Sequence, residues 1–230
     1  MHNSLLPSII EAVGGIISAV LAALIAAGYI GKIVRRDLAP HFYAYSDKSH
    51  NAHKLFMKKA RKSIYIVVSI GDRFLEKFEK HLRSYMDNGV KIYYLLHTDF
   101  RFKELESYLG VNSEQGSNTV DLDALRANTL MKLQKIKEDY YEMIEIRECD
   151  LFFSASYIAV DIEKGLSLKK LSKDSMIQVM IYQYHTDAGK SPIMYFSPKS
   201  SWPQFKKTAI CIKSMWEIGR PITFTPEKEA

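Results

Sequence analysis

Nineteen consecutive residues without a charge, Ala12 to Ile30, lie inside the apolar stretch Leu5–Ile30 (LLPSIIEAVGGIISAVLAALIAAGYI). An α-helix rises about 1.5 Å per residue, so roughly 20 such residues cross a ~30 Å hydrocarbon core. The expectation is one membrane-spanning helix. A cleaved signal peptide has a basic leading region and a shorter apolar core. Only His2 precedes this run as a basic side chain. A helix buried in a soluble protein is the other alternative, and apolarity all round over this length argues against it.

The flanks orient the span. Lys32, Arg35 and Arg36 follow it directly, and Lys48, Lys54, Lys58, Lys59, Arg61 and Lys62 come soon after, against only Asp37 and Asp47. The leading flank has no Lys or Arg. The positive-inside rule then places the long C-terminal part in the cytoplasm. This same basic segment, Lys32, Arg35 and Arg36 foremost, is expected at the membrane surface, beside anionic headgroups.

Small residues pattern the span itself. Gly15, Ala19, Ala23, Ala27 and Gly31 recur every four positions, beside a second row of Gly14, Ser18, Ala22 and Ala26. Residues four apart share a helix face, and small-xxx-small faces let helices approach closely in lipid. The expectation is a homo-oligomer through this face, although Ala and Gly are common in any anchor. Glu11 admits two readings. Ser8-x-x-Glu11 has capping-box spacing, with Pro7 suited to a first helical turn. In an oligomer, Glu11 would instead ring a pore mouth.

Residues 37–52 read as a juncture, and beyond residues 1–36 about 190 residues remain, enough for one domain with a real core. Its expected extent is 53–218, with a tail at 219–230. The formal charge of +6 favours anionic partners. Two cysteines, Cys149 and Cys211, predict no disulfide framework. Neither a CxxC nor a His-rich tract is present to suggest a metal, and no cofactor is expected.

The soluble part reads as α/β. A short helix is predicted over His53–Arg61. Ser63–Ile70 (SIYIVVSI) is apolar on both faces, as a central strand requires. Asp72 is expected to cap a helix through Met86 with Phe74, Leu75, Phe78, Leu82 and Tyr85 on one side, stopped by Asn88-Gly89. Val90–Leu96 (VKIYYLL) is the next strand, giving a βαβ unit with a parallel pair. A polar turn and short helix follow over His97–Gly110, then a loop at Val111–Asn118. A helix is predicted over Thr119–Glu138, with Leu122, Leu125, Leu133 and Ile136 buried. Strands are predicted at Tyr141–Arg147, Leu151–Val160 and Met176–Tyr184, with a basic loop Lys164–Lys173 between the last two. Ser201–Ile218 is the closing helix, carrying Trp202, Phe205, Ile210, Ile212 and Trp216.

This order, with ARKSIYIVVSI, NGVKIYYLLH and ASYIAVD, resembles the phospholipase D-like domain over roughly His53–Ile218. The fold it implies is a mixed-sheet α/β domain behind the single transmembrane helix. Members carry HxKxxxxD on a late strand: the His attacks phosphorus, the Lys grips phosphate oxygens and the Asp supports the geometry. On this chain the motif falls on Ser154-Ala155-Ser156-Tyr157-Ile158-Ala159-Val160-Asp161. A serine hydroxyl needs a neighbouring base where imidazole does not. Ser156 also supplies no cation for the transferring phosphoryl group. The resemblance therefore implies a pseudo-enzyme, while the alternative for ASYIAVD is merely a strand ending in Asp.

A lost active site leaves a cleft. Ligands of open α/β sheets bind beyond the carboxyl ends of parallel strands, which nominates Ser69, His97, Asp99 and Arg101. Arg147, Ser154, Ser156, Asp161 and His185 come from the later strands. Ser and Arg together suit a phosphate or nucleotide-type signal, and a protein partner is the other expectation. Two basic clusters, Lys58/Lys59/Arg61/Lys62 and Lys164/Lys169/Lys170/Lys173, admit nucleic acid. No helix-turn-helix, finger or RNP-like motif accompanies them. The overall layout resembles small bacterial anti-phage membrane effectors of the retron or cyclic-oligonucleotide type. That resemblance implies a single-pass protein of the bacterial inner membrane whose span perturbs the bilayer when the domain binds its signal. A membrane-tethered phosphodiesterase or phosphatidyltransferase, or a plain tether for a soluble partner, are the alternatives.

Overall fold

The computed structural model describes residues 41–43, 56–98, 121–151, 153–162, 175–181, 192–199 and 202–224. The chain divides into two compact units, Met1–Ala39 and Pro40–Ala230, and all described residues belong to the second. The predicted span, its small-residue rows and Lys32, Arg35 and Arg36 lie outside the described residues. Among the described residues no helix is long and apolar enough to cross a membrane.

Among the described residues the elements are, in chain order, β1 (His41–Tyr43), β2 (Ser63–Val68), α1 (Asp72–Asp87), β3 (Lys91–His97), α2 (Leu122–Asp139), β4 (Ile144–Cys149), β5 (Ala155–Val160), β6 (Met176–Ile181), β7 (Ile193–Phe196), α3 (Trp202–Ile218) and β8 (Arg220–Pro221). The strands form one mixed sheet in the order β1-β7-β6-β5-β2-β3-β4-β8. β2 pairs in parallel with β3, and β3 with β4, while every other pairing is antiparallel. The expected βαβ unit is present, with Ser63 opposite Lys91 and Val68 opposite Leu96.

Strand alternation divides the core into two layers. Ile64, Ile66 and Val68 of β2 and Ile92, Tyr94 and Leu96 of β3 face a cluster shared with Leu75, Phe78 and Leu82 of α1 and Leu133 and Ile136 of α2. Tyr65, Val67 and Leu95 face the opposite way, toward Phe205, Ala209, Ile212 and Trp216 of α3. A strand covered on both sides must be apolar at every position, and all six residues of β2 are buried.

Several boundaries differ from the sequence expectation, each for a local reason. The α1 N-cap is Gly71 at φ +87°, and Asp72 is the first helical residue. Its carboxylate accepts instead from Asn128 Nδ2 (2.6 Å) and Lys132 Nζ (3.0 Å), joining α1 to α2. Gly71 serves because a Cβ there would come within 2.3 Å of Tyr94 Oη. The buried stripe of α2 runs through Leu122, Arg126, Thr129, Leu133 and Ile136, with Leu125 half-buried beside it. On α3, Ile210 is exposed and Ala209 takes the inward position.

Residues 41–43, read as part of the juncture, are an edge strand on β7. β7 itself, four residues long, was not anticipated. The segment after Ile218 is attached at its start, with Arg220 and Pro221 paired to β4 and the Ile222 amide donating to the Ile146 carbonyl at 3.1 Å.

Candidate functional site

The carboxyl ends of β2, β3 and β4 and the start of β5 share one edge of the sheet. β5 runs antiparallel to β2, with Tyr157 opposite Val67, so Ser154 and Ser156 reach the edge where β2 and β3 finish. The His97 amide donates to the Ser69 carbonyl at 3.2 Å, and the Thr98 amide to the Cys149 carbonyl at 3.1 Å, extending the ladder past the strand ends. Ser69, His97, Thr98 and Ser156 are all buried, and Ser154 is exposed.

His97 is closed into this edge. Its Nε2 accepts the Phe153 amide hydrogen at 2.7 Å, which fixes the proton of a neutral ring on Nδ1. The ring lies 4.0 Å from that of Phe153, centroid to centroid, and is 0% exposed. Arg126 reaches up from α2 to donate through Nη1 to the His97 carbonyl and through Nη2 to Glu148 at 2.6 Å. Glu148 continues to Arg220 at 3.9 Å, and Arg220 to Asp150 at 3.2 Å. Arg126, Glu148, Arg220 and Asp150 are thereby linked in one chain of charges along this edge. Beside them, burial pushes the Cys149 thiol up, against a smaller opposing pull from the Leu151 amide. The thiol form is therefore favoured over the nucleophilic thiolate.

Alternation separates the candidates that share the edge. His97 follows Leu95 onto the α3 side of the sheet, whereas Ser156 has the parity of Ile158 and Val160, which face α1 and α2. Two further candidates sit elsewhere. Arg147 turns to the end of α3, donating to the carbonyls of Trp216 (3.0 Å) and Gly219 (3.4 Å), with its guanidinium carbon 4.6 Å from the centre of the Trp216 ring. A cation at a helix C-terminus satisfies free carbonyls and complements the macrodipole. Asp99, Arg101 and His185 lie outside the described residues.

Asp161 lies at the other end of β5, about 17 Å of strand from Ser156 at ~3.3 Å per residue. It is 1% exposed with φ +54°, a left-handed conformation that Asp tolerates better than most residues. Its Oδ1 accepts from the amides of Lys62 (2.8 Å), Ser63 (3.0 Å) and Arg61 (3.2 Å), and Oδ2 from Arg61 at 3.1 Å. Its own amide donates to the Ser63 carbonyl, and its carbonyl accepts from Ser175 Oγ. The carboxylate thus clamps the turn that leads into β2.

The residues that sequence reasoning missed at the carboxyl edge are Arg126, Glu148 and Phe153. Arg126 carried a usable signal: it stands four residues after Leu122 and seven before Leu133, in phase with the buried stripe. Phe153 carried none, because its role is played by a backbone amide.

No protein-family model matches the chain, and no curated protein matches it. Solved structures of similar shape include TrmBL2, an archaeal chromatin protein, 12% identical over 96% of this chain and 72% of its own, with a TM-score of 0.45. NucT from Helicobacter pylori is 10% identical over 80% and 99% of the two chains, with a TM-score of 0.42. Nuc from Salmonella typhimurium, a phospholipase D family member, is 12% identical over 81% and 100%, with a TM-score of 0.40. Likeness at this level assigns neither family nor activity. The described residues of the unit Pro40–Ala230 form a mixed-sheet α/β domain with helices on both faces.

Proposed function

We propose that the chain is a membrane-anchored sensor–effector. Its α/β domain, a phospholipase D-like module without phosphoryl-transfer chemistry, binds an anionic signal or a partner protein. Its apolar helix associates with copies of itself and perturbs the inner membrane in response, in the manner of an abortive-infection effector. The observation that carries the non-catalytic reading is the state of His97. A nucleophilic imidazole presents a free, accessible ring nitrogen to phosphorus. The Nε2 lone pair of His97 is instead spent on the Phe153 amide, and the ring is fully buried. Ser154 and Ser156 at the motif positions support the same reading. The nineteen uncharged residues with their basic flank support the anchor.

Two measurements test it. Purified chain in detergent should release no product from bis(p-nitrophenyl) phosphate above the buffer rate. Turnover that disappears in Ser154→Ala would show an enzyme. Overproduction in bacteria should depolarise the inner membrane, and replacing Gly14, Gly15, Ser18, Ala19, Ala22 and Ala23 by Leu should abolish this while membrane insertion persists. Equal depolarisation by the Leu variant would overturn the effector reading.

A further inference from the structure

Helix α3 turns Phe205, Ala209, Ile212, Met215 and Trp216 onto the sheet. Its outward stripe is Ile210, Ser214 and Ile218, spaced four apart and therefore on one face. Ile210 is 45% and Ile218 61% exposed, and Ser214 is exposed between them. A lone exposed Ile is ordinary on a protein surface. Two on one stripe, with only a serine between them, make a surface that a partner can cover.

The charges beside the stripe say which partner. Lys206 and Lys207 are exposed near the start of α3, and Glu217 is exposed in its last turn. Among the described residues none of the three is in a salt bridge. A helix macrodipole favours bases, not acids, at the C-terminal end. Glu217 therefore stands at the unfavoured end, and no base shares that turn with it. A second α3 laid antiparallel reverses this, bringing its lysines to Glu217 and its own Glu217 to the lysines. The register follows from the numbering. With a twofold axis at the level of Ile212, Ile210 of one copy comes level with Ser214 of the other, and Lys206 and Lys207 with Ile218 and Glu217. A bulky side chain then meets a small one and lysines meet an acid, each twice, as an isologous contact requires.

We propose that the outward face of α3 is a pairing surface for a second copy of this chain, antiparallel about a twofold axis. A helix of this length offers a face about 25 Å by 10 Å, well short of the roughly 800 Å² that each partner gives to a stable interface. Pairing therefore needs a high local concentration, which tethering to one bilayer supplies. To that extent the inference rests on the membrane-anchored reading. It goes beyond that reading by placing a contact between copies in the α/β domain, apart from the apolar run.

Cysteine crosslinking of the full chain in phosphatidylcholine vesicles tests it. The two cysteines are Cys149, which is buried, and Cys211, which is exposed on α3 one residue from the level of the twofold axis. With helix axes about 8–10 Å apart, the paired Cys211 thiols lie within reach of a short bismaleimide. The natural chain should give a crosslinked dimer that is lost in Cys211→Ser. Glu217→Lys alone, or Lys206→Glu/Lys207→Glu alone, sets like charges at both ends of the pair and should lower the crosslinked fraction about tenfold. A mixture of these two variants, differently tagged, restores opposite charges at both ends, so the mixed dimer should return to the natural level. Labelling with N-ethylmaleimide corrects for any change in Cys211 reactivity, and every substituted position is exposed, which spares the fold. Natural-level crosslinking in either variant alone overturns the proposal, as does a mixture that crosslinks no better than its parts or a natural chain that gives no Cys211 dimer. Release of the chain from vesicles by alkaline carbonate would refute the anchor by itself. The same crosslinking pattern in free chain at high concentration would then still uphold the pairing, and its absence there would overturn it.

Discussion

Asp161 offers the sharpest test of how the fold is held. Replacing it with Ala removes four contacts to three amides. Arg61 and Lys62 are exposed and their amides regain water, so each lost bond costs about 1 kcal/mol. Ser63 is buried, and its stranded amide adds a desolvation cost of about 1–3 kcal/mol. Ala at φ +54° adds about 1 kcal/mol of left-handed strain. The sum for Asp161→Ala is about 5 kcal/mol. Asp161→Gly loses the same bonds without the strain, so it should be milder by about 1 kcal/mol. Asp161→Asn keeps an Oδ1 acceptor and a side chain suited to this conformation, and should cost only about 1–2 kcal/mol. Urea titration of the full chain in mild detergent, followed by tryptophan fluorescence, reads the right unit: the chain has two tryptophans, and Trp202 and Trp216 are both on α3. The reasoning fails if Asp161→Ala costs under about 1 kcal/mol or if Gly proves worse than Ala.

Two further perturbations separate local causes. Gly71 and Gly89 both have positive φ, but a Cβ at Gly71 meets Tyr94 Oη at 2.3 Å and one at Gly89 meets nothing within 4 Å. Gly71→Ala should therefore cost about 2–4 kcal/mol and Gly89→Ala only about 1 kcal/mol in the same titration. Arg147→Ala should cost about 1–3 kcal/mol and shift tryptophan emission, because it uncaps α3 and uncovers the Trp216 ring; Arg147→Lys should recover less than half, lacking the planar fork.

What the sequence revealed follows from how far each signal reaches. β2, α1 and β3 were legible because SIYIVVSI and VKIYYLL are long apolar runs, and the intervening helix repeats Leu75, Phe78 and Leu82 at helical spacing. β7 was missed because four residues cannot establish a period, and β1 because three residues become a strand only by finding β7. The phase of α2 slipped by one position since hydropathy prefers Leu125 to Arg126, and the His97 carbonyl and Glu148 that satisfy a buried guanidinium there are not visible in a hydropathy pattern. Of the candidate site, the edge holding Ser69, His97, Ser154 and Ser156 could be placed from strand order. Arg147 and Asp161 could not, because a charged residue in a strand looks alike whether it meets a ligand, a helix end or a backbone turn.

The Asp161 clamp joins positions a hundred residues apart. During synthesis, the lysines and arginine of the turn emerge early, while the carboxylate that sets them emerges only after β2, α1, β3, α2, β4 and β5. A nascent chain therefore displays this charge first as a slack ribbon, and only a finished domain offers it as a shaped surface.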